Sequence, residues 1–516
     1  MALEPKFEKL ASGYKLKLGE LQSSLSNKLP IPEEENIANI LCANVKANVT
    51  NVEISQGVVN LNGVASIQIL YTLDTGENRA MDFSVEFKDR LAVADTKGLV
   101  DCVVDVDVVD TKARVIDKNV VVEAILNISF TGIINDTINV LTETIGEDVY
   151  TKYEDLSYSE YLGVANEKFE ESFDIQINDA VLNVLSVCPQ VRVEKVELFD
   201  NYLKVFGEVS INVLYNASGD IAKVRSYNTI MDFNQEVALS GIVSSSSVFS
   251  SISTMYSNIN VTTNLGEDKT VINIVVPIEY KGYVWNTKTL QVVSDVYSLS
   301  NYINVNIDSF DVQNNYAPQI YRDRFSGMVT LEENDLIVDE VLGNCCPSIL
   351  LVNKRFVGDS LIVDGIVTTS LIYRNSDTVM SSLSYEVQVP FSLDFRIMDL
   401  PEGVDADVEL FVEDLVIKVR RGTDIEVSGS ISAFVTYYNL IKEAAINSIT
   451  LGEVKPIDDC NLLIYFVKAG DTIWSIAKEL SVSEDLILEQ NPSLELPLSA
   501  GKKIIVFKQK IANLNN

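Results

Sequence analysis

The chain has 516 residues, and 40 Lys and Arg against 74 Asp and Glu give it a formal charge of -34. Such a field repels phosphate backbones and anionic headgroups, which argues against nucleic acid and membrane surfaces as partners. Histidine is absent and no CxxC pair occurs, so zinc sites and histidine-dependent catalysis lack a required group. We therefore expect no enzymatic activity, no cofactor and no metal.

The N-terminal segment, residues 1–30, contains no apolar stretch of the kind found in signal peptides. Downstream of it, no run reaches the roughly eighteen apolar residues that a membrane span needs. The six cysteines are few for so long a chain, which fits a reducing compartment better than a disulfide framework. The sequence thus predicts a cytosolic protein without membrane insertion.

A strand motif with Gly and Tyr eight positions apart occurs three times, as Gly63–Tyr71, Gly207–Tyr215 and Gly365–Tyr373. Apolar and polar residues alternate within it, a period typical of half-buried strands. The motif returns only after about 150 residues, which predicts three domain-sized units and excludes a short-period solenoid.

Each motif is preceded by a cysteine and followed by further strands. We expect the cysteines to fill small buried core positions, redox thiols being the alternative. The recurring cysteines are Cys42, Cys188 and Cys346. Apolar stretches just before two of them, Ile37–Leu41 and Ala180–Leu185, favour brief helices.

Two more strands of each unit are predicted from aromatic and apolar runs. The aromatic strands are Phe83–Phe87, Met231–Val237 and Tyr385–Phe391. The last strands are Val120–Phe130, Thr270–Tyr280 and Ile425–Tyr437. The repeats are therefore assigned to residues 31–165, 166–320 and 321–445.

Four aspartates, Asp101, Asp105, Asp107 and Asp110, resemble part of a calcium loop. However, they alternate with valines as the solvated face of a strand would, and no EF-hand glycine or final glutamate follows. The sequence favours a strand here and no metal.

The C-terminal part, residues 463–510, follows a linker at 446–462 and reads as a small βααβ unit. A strand at Tyr465–Val467 turns at Gly470 into a helix that Asp471 or Thr472 caps. Ser483 caps a second helix, which the Asn-Pro pair at 491–492 ends. A closing strand contains the apolar residues 504–506.

These patterns resemble two known families. The tripled motif is similar to the SPOCS domain of endospore-forming Firmicutes over about residues 31–440, and the C-terminal unit resembles a LysM domain. The resemblance implies a mostly β fold, with three tandem β-rich SPOCS-like domains followed by a small βααβ LysM module.

The LysM resemblance implies a shallow groove for the N-acetyl sugars of peptidoglycan or chitin. The residues assigned to it are Gly470, Asp471, Thr472, Ile473, Trp474, Asn491, Pro492 and Ser493. The alternative is that Gly470, Asp471 and Asn491 serve only as turn and cap residues. Trp474 lies one position off the apolar helix face, so it is either an exposed binding anchor or partly packed in the core.

The combined architecture resembles the clostridial SipL family of spore coat morphogenetic proteins, functional counterparts of the SpoVID proteins of bacilli. That resemblance implies a non-enzymatic scaffold in the mother-cell cytosol, which tethers coat layers to the forespore surface by binding a SpoIVA-type coat ATPase. A competing hypothesis is a cell-wall or phage-tail protein whose LysM binds GlcNAc-containing glycan. An autolysin-like hydrolase would need a nucleophile and base that no repeat supplies.

Overall fold

Antiparallel strands make up nearly all of the structure, a computed structural model, and two short helices lie near its C-terminal end. The described residues are 3–218, 223–254, 260–265, 269–331, 337–375, 382–397, 403–421, 423–456 and 462–508. None of the helices in these stretches is long and apolar enough to cross a bilayer.

The first repeat folds into six strands in two sheets. They are β1 (Glu4–Pro30), β2 (Ile37–Ser55), β3 (Val58–Leu73), β4 (Asn78–Ala92), β5 (Leu99–Ile116) and β6 (Asn119–Ile145). The small sheet has the order β2-β3-β4 and the large sheet the order β1-β6-β5. The apolar faces of β3 and β6 supply the centre of the core between the two sheets.

The second repeat follows the same plan. Its strands are β7 (Val149–Ile177), β8 (Val181–Phe199), β9 (Tyr202–Ala217), β10 (Lys223–Ala238), β11 (Ser247–Thr254), β12 (Asn260–Leu265) and β13 (Thr270–Ser298). The small sheet is β8-β9-β10, while β13 pairs with β7, β11 and β12 in the large sheet.

In the third repeat two of the long strands are interrupted. Its strands are β14 (Asn301–Asn315), β15 (Gln319–Thr330), β16 (Glu340–Asn344), β17 (Ser348–Val357), β18 (Ser360–Arg374), β19 (Leu383–Arg396), β20 (Asp405–Val419) and β21 (Asp424–Val454). β16 and β17 both pair with β18, and residues 345–347 separate them. β21 pairs with β14, β15 and β20.

The strands predicted from the sequence are confirmed. The Gly-Tyr motifs lie in β3, β9 and β18, the aromatic strands in β4, β10 and β19, and the last strands in β6, β13 and β21. The two predicted brief helices are wrong, because Ile37–Leu41 belongs to β2 and most of Ala180–Leu185 to β8. Both segments follow the strand ladder of the neighbouring motif strand.

Strand pairing groups the chain differently from the sequence division. The segment 1–30 forms β1, which pairs with β6 from Glu4 to Pro30, so it is the outer strand of the first repeat. By pairing, the repeats span residues 4–145, 149–298 and 301–454. Residues 446–454 of the expected linker continue β21, and 457–461 lie outside the described residues. The first long strand of each repeat carries no motif, which is why the sequence division starts later.

The three small sheets meet in one apolar cluster. Leu70, Leu214 and Ile372 each stand seven residues after the motif glycine, and all three are buried there. Leu41 and Leu185 from the preceding strands complete the contact. The motif strand therefore builds two interfaces, since one face fills its own repeat and the other meets the neighbouring repeats.

Two disulfides cross this meeting point and join the repeats. Cys42 bonds to Cys345, and Cys188 bonds to Cys346. The predicted burial of the recurring cysteines is confirmed, but the expectation of separate thiols is corrected. The adjacent pair in the third repeat reaches a different repeat with each sulfur, so the third repeat is covalently linked to the other two. Cys102 is a buried free thiol.

The large sheets are packed together as well. Apolar residues of β1, β6, β7, β13, β14 and β21 form a shared cluster around Leu10 and Phe310. Beside it, buried Lys15 of the first repeat pairs with Asp407 of the third. Its ammonium lies 4.4 Å from the ring centroid of Phe249 and 3.8 Å from that of Tyr438. Burial lowers the pKa of Lys15 from its ordinary value. The three repeats are therefore joined by buried contacts between their sheets as well as by the chain that connects them.

The C-terminal unit has the predicted βααβ order. Its elements are β22 (Leu462–Phe466), α1 (Ile473–Leu480), α2 (Glu484–Gln490) and β23 (Lys503–Phe507). Thr472 caps α1 and Ser483 caps α2, as the sequence predicted. A small core around Ile476, Ile487 and Ile504 holds the helices on the sheet.

Candidate functional site: the LysM module and its surroundings

The predicted groove residues lie in the loop before α1 and the loop after α2. Gly470, Thr472, Pro492 and Ser493 are exposed, whereas Ile473 is buried in the core of the module. Gly470 has a φ of +89° and open space around its Cα, which suits a tight turn. The rims of both loops are therefore accessible, while Ile473 contributes packing.

Two polar residues of the predicted groove hold these loops in shape. The Asp471 carboxylate accepts hydrogen bonds from the Tyr465 hydroxyl at 2.9 Å and from the Lys468 amide at 2.8 Å. The Asn491 side chain donates to the Ile505 carbonyl at 2.8 Å and accepts from the Ile505 amide at 3.0 Å. Both side chains act as the turn and cap residues that the sequence allowed as an alternative.

Trp474 lies against the second repeat, and its indole belongs to an intramolecular interface. The indole nitrogen donates to a carboxylate oxygen of Asp295 at 2.8 Å. Its ring meets that of Tyr297 edge to face, with 4.9 Å between the centroids. Both partners lie on β13. Of the two sequence expectations, partial core packing is the one that describes Trp474, which is half-buried against a cluster that the module shares with Tyr297.

Asp295 is the polar centre of this interface. Besides Trp474, it accepts a 2.6 Å hydrogen bond from the Lys478 ammonium. Partial burial disfavours its charge, but the bonds from Lys478, Trp474 and the Val296 amide outweigh burial and lower the pKa of Asp295 below its ordinary value. Its carboxylate is therefore charged at neutral pH and ties α1 to the repeat.

Hydrogen bonds on either side extend the contact. The Tyr297 hydroxyl donates to the Val482 carbonyl at 2.8 Å, and burial raises the pKa of Tyr297. The Lys455 ammonium bonds the Ser298 carbonyl at 2.7 Å and the Ser481 hydroxyl at 2.8 Å. The flank of the module that carries α1 is thereby fixed to the end of β13. Sequence reasoning missed Asp295 and Tyr297, because no local pattern marks residues that pair with a segment nearly two hundred positions away.

Replacing Trp474 with Ala is expected to release the module from the repeats. The substitution removes the indole contact with Tyr297 and the bond to Asp295, at a cost of about 1–3 kcal/mol for an interface anchor. Trp474 is only partly buried against the cluster that contains Ile476, so the fully buried centre of the module's core is expected to persist. Hydrogen exchange should therefore rise at the end of β13 and stay unchanged in β23. Faster exchange throughout the module would show instead that Trp474 holds its core.

The outer face of the module's sheet is unusually apolar. Leu462, Ile464 and Phe466 alternate along β22 and are 47%, 50% and 62% exposed, and Phe507 on β23 is 54% exposed. Leu462 stands directly opposite Phe507 in the ladder. Large apolar side chains grouped this way on a surface mark an interaction site. β22 has apolar residues on both of its faces, and this was visible in the sequence. Only the inner face was assigned, as part of the LysM core, and so the apolar outer face was not predicted.

No metal centre emerges from the predicted aspartates. Asp101, Asp105, Asp107 and Asp110 lie on β5, as the alternating pattern indicated. In the part of the chain that the structure describes, no three Asp, Glu or Cys side chains are grouped so that they could hold a metal ion.

Comparison with known protein families finds a match for the three repeats and another for the C-terminal module. The SipL, SPOCS domain family matches residues 36–116, 180–264 and 338–420, and the LysM domain family matches residues 465–507. The "Putative L,D-transpeptidase YkuD" of Bacillus subtilis (strain 168) is 44% identical over 45 residues, which cover 9% of the chain and 27% of that relative. The chain thus spans about a quarter of the length of that relative. No solved structure matches.

Each matched SPOCS segment lies within one structural repeat. Each SPOCS segment begins at or just before the first strand of a small sheet, and contains a Gly-Tyr motif strand. SPOCS and LysM are binding domains without catalytic groups, and together they fit a sporulation-related protein with a module of the glycan-binding type. The chain therefore has a SipL-like architecture, with three SPOCS domains followed by a C-terminal LysM domain.

Proposed function

We propose that the chain is a non-enzymatic scaffold in spore coat assembly. The three repeats form a rigid body, and the LysM module at its end binds a protein partner, a SpoIVA-type coat ATPase, at the forespore surface. The scaffold acts in the mother-cell cytoplasm and tethers coat layers there. The family match and the sporulation role that it suggests support this proposal.

The apolar outer face of the LysM sheet is the observation that carries a protein-binding role. Leu462, Ile464, Phe466 and Phe507 offer side chains that are about half exposed, on a sheet with only two strands. A glycan bound in the groove between the loops would not contact this face. An apolar segment of another protein would bury it and gain about 25 cal/mol for each Å² removed from water.

The charge distribution supports the same surface. Between Tyr465 and Lys508 five lysines stand against six acids, while the chain as a whole carries -34. The module is therefore nearly neutral, and a partner that approaches it meets little of the repulsion that the repeats present. The docked flank around Trp474 is already occupied by β13, which leaves the outer sheet face and the loop rims for a partner.

Replacing both Ile464 and Phe466 with Ser is expected to weaken partner binding by at least about tenfold, because interface anchors contribute about 1–3 kcal/mol each. Both side chains point away from the module's core, so its fold should be kept. Binding is measured by titrating the purified coat ATPase into the full chain. The matched control, Val352 and Val357 both to Ser, changes two equally exposed apolar residues of β17. Unchanged affinity in the LysM variant would move the interface elsewhere.

A second function, binding of GlcNAc-containing glycan in a cell-wall or phage-tail protein, is favoured by the open rims of the groove. Gly470, Thr472, Pro492 and Ser493 are exposed, and the LysM domain family matches residues 465–507. Chitin oligomers that compete with the coat ATPase for the full chain would favour this alternative. Binding of the ATPase that is insensitive to oligomers favours the scaffold.

A further inference from the structure

A polar pocket lies at the junction of the second and third repeats. It has a volume of about 320 Å³ and lies between β8, β9 and β10 on one side and β16 and β20 on the other. Its rim includes the exposed side chains of Asn228, Ile230 and Asp414, while Asn212 and Asn344 are buried at its floor. A volume near 300 Å³ is at the lower end of the range for small-molecule sites.

Asn212 presents an unused polar atom inside this pocket. The residue is 6% exposed and its amide nitrogen donates to the Asn228 side chain at 2.5 Å, but its carbonyl oxygen has no hydrogen-bond partner among the residues that the structure describes. A buried polar atom without a partner costs about 1–3 kcal/mol, so native structures seldom leave one unsatisfied. The atom therefore points to a molecule that occupies the pocket and supplies a donor.

The junction of the first and second repeats shows the same position satisfied. Gln68 stands five residues after its motif glycine, as Asn212 does. Its oxygen accepts a hydrogen bond from Ser186 of the second repeat, and its nitrogen donates to Asp82 at 3.0 Å. Ser186 lies two residues before Cys188, and the residue in that place in the third repeat is Asn344. Asn212 makes no corresponding bond to the next repeat among the described residues, so this position of the motif is satisfied at the first junction and unsatisfied at the second.

The lining defines the chemistry of the occupant. Amide and hydroxyl groups come from Gln190, Ser210, Asn228 and Thr229, and apolar surface comes from Ile230, Val412 and Leu415. Among the described residues that line the pocket there is no Lys or Arg, which disfavours a phosphate or carboxylate, and their single acid, Asp414, is too little for a metal ion. A hydroxyl group satisfies Asn212 whichever way its amide is turned, since it both donates and accepts.

We propose that this pocket binds one neutral pyranose sugar, either free or as the end residue of a chain. The sugar's hydroxyls bond Asn212 and its amide neighbours, and its C–H face packs on the apolar wall. This site is separate from the LysM groove, and the proposal does not depend on the scaffold role.

The test measures sugar binding to the full chain by saturation-transfer NMR, with glucose, N-acetylglucosamine and the N-acetylglucosamine trimer as probes. Binding is expected with a Kd of about 1 mM, the range for a ligand of some twelve to fifteen heavy atoms. Equal binding of trimer and monomer indicates capture of a single unit, and weaker binding of the trimer favours a free sugar.

Asn212→Ala should weaken binding at least about tenfold and change the melting temperature little, since it removes an unpaired buried oxygen together with one hydrogen bond, to the exposed Asn228. Ser210→Phe, which fills the pocket from β9, should abolish binding. Asn273→Ala, which changes a partly exposed asparagine on β13 away from the pocket, should leave binding intact. No binding of any probe, or binding that survives both pocket variants, would overturn the proposal, and the latter would place the sugar on the LysM module.

Discussion

Replacing Arg192 with Met is expected to lower the free energy of unfolding by about 3–5 kcal/mol, the cost of leaving a buried charge without its partner. The side chain is 7% exposed and crosses from the second repeat to the third. Its guanidinium pairs with Glu413 and donates to the Ser432 hydroxyl on one side, and pairs with Glu208 and Glu194 on the other. Glu413 is itself only 9% exposed, and the variant would leave its buried carboxylate with only the longer contact to Arg322, at 3.4 Å.

Denaturant unfolding of the full chain measures this loss, and two further variants identify its cause. Lys195→Met removes an exposed charge from the same strand and should change stability by less than about 0.5 kcal/mol. Removing both charges, with Arg192→Met and Glu413→Met together, should recover much of the loss because no buried charge is then unpaired. A single variant within about 1 kcal/mol of the parent would mean that the network does not hold this junction.

The burial of the polar faces of the motif strands could not be predicted from the sequence. The alternation of apolar and polar residues predicted the strands and their apolar faces correctly, but it also predicted that their polar faces would be exposed to solvent. In the structure Ser66, Gln68 and Asn212 are 1%, 6% and 6% exposed. Their faces pack against the next repeat, as the bond between Gln68 and Ser186 shows. Alternation with a period of two shows that the two faces of a strand differ in polarity. It does not show whether another repeat packs on the polar face.

The LysM module could be read in more detail because its determinants are local. Thr472 and Ser483 cap helices that begin one residue later, so the sequence contains both partners of each bond. The contact of Trp474 with Asp295 joins residues 179 positions apart, and no spacing rule connects them. The disulfides could not be predicted from local sequence either. The burial of the cysteines was expected from their residue type, but their pairing depends on how the three repeats pack together.

The glycine of the repeated motif has a steric explanation that leads to a second large effect. Gly207 faces Phe233 across the pairing of β9 with β10. A Cβ on Gly207 would lie 2.4 Å from the Phe233 ring and 2.4 Å from the Arg192 carbonyl oxygen. Gly63 with Phe87 and Gly365 with Phe391 repeat this arrangement in the other two repeats, at 2.3 and 2.4 Å. The absent side chain makes room for the ring that closes each small sheet.

Gly207→Ala is therefore expected to destabilise the second repeat by about 3 kcal/mol or more, the upper part of the range for overpacked sites, because one of the two contacts is with rigid backbone. Asn234→Ala, an exposed neighbour of Phe233 on β10, should change stability by less than about 0.5 kcal/mol in the same denaturant measurement. The clash displaces the backbone of Arg192, so Gly207→Ala and Arg192→Met together should cost less than the sum of their separate effects. Strict additivity would show that the glycine and the buried arginine act independently.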